Sequence, residues 1–204
     1  MNLLEISFTI LVFCSIVQFL YLFFFTSKIS FHKEKKTSNS VGISVIIAAR
    51  NEFKNLKNNL TKVLDQDYES FEVIVVNDRS WDNSIKFLKE MKKKYLNLKI
   101  VNIPDNKTDH FGKKLAITLG IKAAKFNNFL FTDADCYPCT NLWISEMSKG
   151  FNNGKKIVLG AGIYKKENGF LNKLIRFDST QIAINYLSYA KSNLAYMGVG
   201  RNMG

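Results

Sequence analysis

Asp133-Ala134-Asp135 closes an apolar run, Phe129-Leu130-Phe131-Thr132. A buried strand that opens into two carboxylates one residue apart is poorly suited to packing. Successive strand residues point to opposite faces, so positions i and i+2 share one. Asp133 and Asp135 can therefore converge on one point at the strand's carboxyl end. Open α/β sheets bind ligands along that edge. Two hard oxygen donors there suit Mg²⁺ or Mn²⁺ held jointly with a substrate diphosphate. Taken alone, an Asp-x-Asp is more often two solvated loop acids.

Three further segments carry polar residues where an apolar stretch ends or begins. They are Ala48-Ala49-Arg50-Asn51-Glu52, Asn77-Asp78-Arg79-Ser80-Trp81-Asp82 and Gly112-Lys113-Lys114. Asp78 can accept a hydrogen bond from a base N–H. Lys113 can meet phosphate charge near a helix N-terminus. Each has a plain structural explanation: Asp78 as a turn former, Lys113 as a solvated charge, Glu52 as a first-turn helix acid. Four such ends together are hard to explain as turns.

The elements that must position these residues alternate along the chain. Short buried strands are expected at Ile43–Ala48, Phe71–Val76, Leu98–Ile103, Phe129–Thr132 and Ile157–Ile163. Apolar residues at helical spacing mark Glu52–Leu64, a segment after Ser80, Phe111–Phe126, a segment after Thr140, and Phe170–Lys191. Ser80 and Thr140 are candidate N-caps. Strands alternating with helices give an α/β fold, a mostly parallel Rossmann-type sheet with helices on both faces. Its strand ends share one edge, so distant polar groups converge there. The final helix reads either as an ordinary packed helix or as a surface helix lying near a membrane or an acceptor.

Ile6–Thr26 holds no charged residue and is long enough to span a hydrocarbon core of about 30 Å as a helix. Aromatics crowd its end (Phe19, Tyr21, Phe23, Phe24, Phe25), as in an interfacial belt. No Lys or Arg precedes it, whereas Lys28, Lys33, Lys35 and Lys36 follow, which places the rest of the chain in the cytoplasm. A basic start and a small-residue cleavage site are both missing, so the segment reads as a retained anchor. The expected organisation is an anchor at 1–27, a basic juxtamembrane linker at 28–40 and one α/β domain at 41–204. Apolar content of 47% suffices for a sizeable core, and the net charge of +12 favours anionic partners such as nucleotides or lipid headgroups. There is no Arg-rich stripe or nucleic-acid signature, so nucleic acid is not expected as a partner.

At these residues the chain resembles the family-2 glycosyltransferases, inverting enzymes of GT-A fold. The resemblance rests on Ser44 to Glu52; on Gln66-Asp67-Tyr68 with Phe71 to Ser84; on Gly112-Lys113 with Gly120-Ile121; and on Thr132 to Asp135 with Pro138. It covers roughly residues 41 to 204, in family order. It implies a nucleotide-sugar donor, usually uridine-based, and an acceptor that is a lipid-linked sugar, a polysaccharide or a protein. It places Ala48, Arg50 and Glu52 around the nucleotide and gives Asp78 to the base. Lys113 goes to the diphosphate region, Asp133 to donor contacts, and Asp135, with Asp133, to Mg²⁺ or Mn²⁺. The family's carboxylate base follows the strand that Gly198 to Asn202 resembles. No acid follows Asp178, which sits inside the final predicted helix, so the base is expected beyond Gly204 and the chain is expected to be an N-terminal piece. A piece that binds donor without transferring it is the nearest alternative. A second rival is a thiol oxidoreductase built on Cys136-Tyr137-Pro138-Cys139, a C-x-P-C following a strand. Three strand–helix units before the motif, and no proline after it, argue against that rival. One Cys pair with only His32 and His110 elsewhere is a poor zinc set.

Overall fold

The computed structural model describes residues 2–30, 41–104 and 112–204. Lys33, Lys35 and Lys36 of the expected linker, His32 and His110, and Phe111 at the expected start of the third helix lie outside the described residues. The chain divides into two compact units, Met1–Glu34 with Ala161–Gly198, and Lys35–Gly160 with Val199–Gly204.

The second unit is built on four parallel strands, β1 (Ile43–Ala49), β2 (Phe71–Asp78), β3 (Leu98–Ile103) and β4 (Asn128–Asp133), in the order β3-β2-β1-β4. The crossovers are α3 (Phe53–Leu64), α4 (Ser84–Lys94) and α5 (Lys113–Ala123), and α6 (Trp143–Asn152) follows β4. Alternation along the strands splits the core in two. Ile43, Val45, Ile47, Val73, Val75 and Leu130 pack with Leu56, Leu60, Val63, Leu88, Ile144 and Met147, so α3, α4 and α6 cover one face. Ile74 and Val76 pack with Ala116, so α5 covers the other. Each fully buried Leu or Ile contributes about 1.5–3 kcal/mol through removal from water. At Gly120 in α5 a Cβ would come within 2.6 Å of Ile46 Cγ2, so the absence of a side chain lets this helix lie close against β1 and β2.

The strands run further than hydropathy alone predicts. Asp78 and Asp133 are the last residues of β2 and β4 rather than loop residues beyond them. The expected strand at Ile157–Ile163 does not form; Leu159 makes a single antiparallel bridge to Met203, which also bridges Phe131. The Phe131 N–H donates to the Met203 carbonyl at 2.7 Å, and Val158 and Gly204 exchange backbone hydrogen bonds at 2.8 Å. Gly198–Asn202 is likewise not a strand. Two glycines in five residues weaken extended pairing, and the Asn202 N–H donates to the Val199 carbonyl at 3.0 Å, closing a turn.

In the first unit α1 (Leu3–Tyr21) runs through a π-helical turn (Leu22–Thr26) into α2 (Ser27–Ser30). Asn2 and Glu5 form a reciprocal capping box at its start. The stretch Leu3–Ile29 is long and apolar enough to cross a membrane, about 40 Å at 1.5 Å per residue. Its apolar side chains point outward all round, which suits lipid rather than water. The last helix, α7 (Phe170–Lys191), packs on its end. The Tyr21 hydroxyl donates to Asn185 Oδ1 at 3.1 Å, and the Phe25 and Tyr189 rings stack with centroids 4.9 Å apart. The first half of α7 exposes Phe170, Leu171, Leu174 and Phe177. Asp178 lies on this helix.

Candidate functional site

The strand order fixes where a ligand can enter. From β1 the chain winds outward to β2 and β3, then returns to add β4 on the other side of β1. The crevice between the carboxyl ends of β1 and β4 is therefore the topological switch point, where open α/β sheets bind ligands. The β1–β4 register sets Ala48 beside Asp133. Ala48 also pairs with Val76, so Asp78, two residues on, projects from the same face as Ala48 and Asp133. That is the face α5 covers. Lys113, the first residue of α5, forms an ion pair with Asp133. Both partners are partly exposed, so the pair contributes little to stability and exchanges readily with an incoming ligand.

Asp78 is buried, 5% exposed, and its Oδ1 accepts from Arg79 Nε at 2.7 Å. Arg79 is held with φ at +51°, an uncommon backbone for a residue with a side chain. The pair is thus a built feature of the strand end. Arg50 is exposed and lies over the Trp81 ring at 5.8 Å. Glu52 Oε2 accepts from Asn55 Nδ2 at 2.6 Å, on the first turn of α3. Ala48, Lys113, Asp133 and Asp135 are brought together, and Asp78 shares their face from the neighbouring strand. Arg50 and Glu52 line the loop after β1.

What holds that loop was missed in the sequence. Asn51, at φ +56°, donates its N–H to Ser80 Oγ at 2.9 Å, and its Oδ1 accepts from the Trp81 N–H at 3.0 Å. Asp82 Oδ2 accepts from the Phe53 N–H and Oδ1 from the Ser84 N–H, both at 3.0 Å. Asp82 therefore caps the start of α3 and the start of α4 together. Burial works against its charge, but the Ser84 side chain and the two backbone donors outweigh it and hold its carboxyl below the usual range. The Ser84 hydroxyl acts here by proximity, for it lies outside hydrogen-bonding geometry with any partner. Ser80 and Thr140 do not cap as expected: α4 starts at Ser84 and α6 at Trp143. A polar residue just after a strand was the available signal, but which loop it would tie to was not written locally.

Ligand atoms of Asp133, Asp135 and Cys136 lie within 4.8 Å of one another. The Cys136 thiol donates to Asp135 Oδ1 at 3.3 Å. Burial, then the Asp135 carboxylate, push this thiol up to about 12. Asp133 and Asp135 supply the hard oxygen ligands of this group. That set fits Mg²⁺ or Mn²⁺, which are bound by one or two carboxylates plus phosphate oxygens. The raised thiol also argues against the oxidoreductase reading, because redox cysteines have lowered pKa values. Residues 136–142 are turns and irregular chain rather than a helix start. A cavity of about 450 Å³ lined by Glu72, Lys92, Leu98 and Lys125 opens at the opposite edge, by the starts of β2 and β3, and does not belong to this site.

Comparison with known proteins gives three kinds of likeness. Glycosyl transferase family 2 matches residues 44–198. A poly-beta-1,6-N-acetyl-D-glucosamine synthase of Staphylococcus aureus (strain COL) is 32% identical over 117 residues, 55% of this chain and 27% of that protein. The synthase of the same name from Staphylococcus epidermidis is 35% identical over 94 residues, 46% of this chain and 22% of that one. The matched stretch thus spans about a quarter of the length of these curated relatives. Among solved structures, mannosyltransferase PcManGT from Pyrobaculum calidifontis, in complex with GDP-Man and Mn²⁺, superposes with a TM-score of 0.66 at 16% identity, covering 97% of this chain and 54% of its own. S. aureus TarS 1-349 in complex with UDP-GlcNAc gives 0.53 at 22% identity, covering 64% of this chain and 37% of its own. At those identities the two structures speak to the fold, which is GT-A-like.

Proposed function

The chain belongs to glycosyl transferase family 2, and we propose that it transfers a sugar from a uridine diphosphate sugar to an acceptor hydroxyl, with inversion and with help from Mg²⁺ or Mn²⁺. One observation carries this reading: the register sets Ala48 beside Asp133 at the switch point, with Lys113 on Asp133 and Asp135 two residues further. Asp78 accepts from the base N–H, held in place by Arg79. Arg50 and Glu52 flank the nucleotide on the loop that Asn51 and Asp82 fix. Lys113 turns from Asp133 to the diphosphate, and Asp133 then meets donor hydroxyls. Asp135, with Asp133, would hold the metal, which when bound stabilises charge on the departing diphosphate. Inversion follows from attack on the anomeric carbon opposite that diphosphate, with a general base taking the acceptor proton. No residue of this edge is assigned that role.

The relatives' printed name favours N-acetylglucosamine as donor sugar and a polysaccharide over a lipid-linked sugar or protein as acceptor. The apolar helix favours a membrane location, and Lys28 after it favours a cytoplasmic domain. The test is nucleoside diphosphate release from UDP-GlcNAc, UDP-glucose and GDP-mannose with an acceptor panel. Release of UDP with Mn²⁺ is expected. Release of GDP alone would overturn the donor assignment, and absence of release and of nucleotide binding would overturn the enzyme reading.

A further inference from the structure

Three contacts between α7 and the end of the apolar helix run in step. The Tyr21 hydroxyl meets Asn185, the Phe25 ring stacks on Tyr189, and Lys28 Nζ donates to Ser192 Oγ at 3.0 Å. Both hydrogen-bonded pairs are 164 positions apart, and so are the two rings. The two helices therefore run side by side in the same sense. Going back along α7 from Ser192 is going back along the apolar helix from Lys28, toward the stretch that suits lipid. Phe170, Leu171, Leu174 and Phe177 lie at that end of α7 and are all exposed, Phe170 to 81%. The two leucines share a face with the contact residues. Leu171 and Tyr189 stand about five turns apart, and Leu174 and Asn185 about three. The face that meets the apolar helix at one end of α7 is thus apolar and uncovered at the other.

We propose that the first half of α7 beds this face in the boundary between headgroups and acyl chains of an anionic bilayer, beside the point where α1 leaves it. The proposal rests on the reading of α1 as a membrane span. Charge favours an interfacial helix over a second span. Lys173, Arg176 and Asp178 interrupt the apolar residues, which is costly in hydrocarbon and ordinary in the headgroup layer. Lys165, Lys166, Lys173 and Arg176 outnumber Glu167 and Asp178 at this end, which suits anionic headgroups. Such a helix alone binds a bilayer weakly and reversibly, so α1 remains the anchor. A lone span is free to turn about its own axis, and the second contact removes that freedom.

The experiment puts an environment-sensitive fluorophore on a single cysteine in the full chain, with Cys14, Cys136 and Cys139 replaced by Ser. The labelled variants are Phe13→Cys, Leu174→Cys and Lys191→Cys, all at exposed side chains. Each is reconstituted in vesicles of phosphatidylcholine and phosphatidylglycerol, with a nitroxide lipid probe placed either near the headgroup or deep in the acyl chain. The label at 174 should lie about 5–10 Å into the bilayer and lose about half of its emission to the shallow probe. The label at 191, at the far end of α7, should lose much less, and the label at 13 should be quenched by the deep probe. Quenching at 13 without quenching at 174 would overturn the proposal and leave the membrane reading standing. Equal quenching at 174 and 191 would overturn it too, as would stronger quenching at 174 by the deep probe, which would make α7 a second span. A label at 174 with blue-shifted emission and no quenching would mean that protein covers this face, again overturning the proposal. No quenching at 13 would overturn the membrane reading itself and the proposal with it.

Discussion

Replacing Asp82 with alanine tests whether the loops after β1 and β2 are held as the structure indicates. The carboxylate accepts from Phe53 N–H and Ser84 N–H, the first donors of α3 and α4. Each such cap contributes about 0.5–2 kcal/mol. The site is partly solvated, so water replaces some of what is lost, and the pair amounts to about 1–3 kcal/mol. With a urea dependence of about 1–3 kcal/mol/M the midpoint should fall by on the order of 1 M. Trp143, whose indole donates to Asn202, reports unfolding of the same unit. Asp82→Asn keeps one acceptor and should recover about half. The carboxyl is held below its usual range in the fold, so its contribution is complete above the unfolded pKa of about 3.9. It is lost as pH falls through the lowered folded value. The gap between wild type and Asp82→Asn should therefore shrink below about pH 4. Equal midpoints at pH 7, or a gap that persists in acid, would refute the reasoning.

Gly120→Val should lower stability by about 1–3 kcal/mol, because its side chain meets the stiff methyls of Ile46 and Val76; an unchanged denaturation midpoint would contradict the close packing of α5. Replacing Cys136 and Cys139 with Ser should leave UDP affinity within about threefold, under 1 kcal/mol, since a Ser hydroxyl can also donate to Asp135; insulin-reduction activity that disappears in the double variant would favour the oxidoreductase reading. Removing residues 1–27 should release the protein from membranes, and protease added outside intact cells should leave the catalytic unit uncut; cleavage from outside would reverse the proposed topology.

The parallel sheet and its crossovers were legible because buried strands such as Ile43–Ala49 are continuous β-branched runs and α3 keeps a strict helical spacing at Leu56, Leu60 and Val63. The Asp pair stood out because two acids after an apolar run conflict with packing. Pairing that depends on another segment was not legible. Ile157–Ile163 looks like a strand by composition, yet its pairing is an isolated bridge from Leu159 to Met203, 44 positions further along the chain, rather than a ladder with a neighbouring strand. The lacing of Asn51 to Ser80 and Trp81 joins residues about thirty positions apart, and the left-handed backbone that Asn51 tolerates does not say which loop it will tie to.

The central claim is that Asp135, with Asp133, joins a divalent metal to a donor diphosphate at the β1–β4 crevice. Calorimetric titration of UDP with and without Mn²⁺, on the wild type and on Asp135→Asn, addresses it directly. The substitution keeps the size and removes one anionic ligand. UDP should bind the wild type with Mn²⁺, bind at least tenfold more weakly without it, and lose its metal dependence in Asp135→Asn, a difference of about 1.4 kcal/mol or more. Metal-independent UDP binding that survives Asp135→Asn would contradict the assignment.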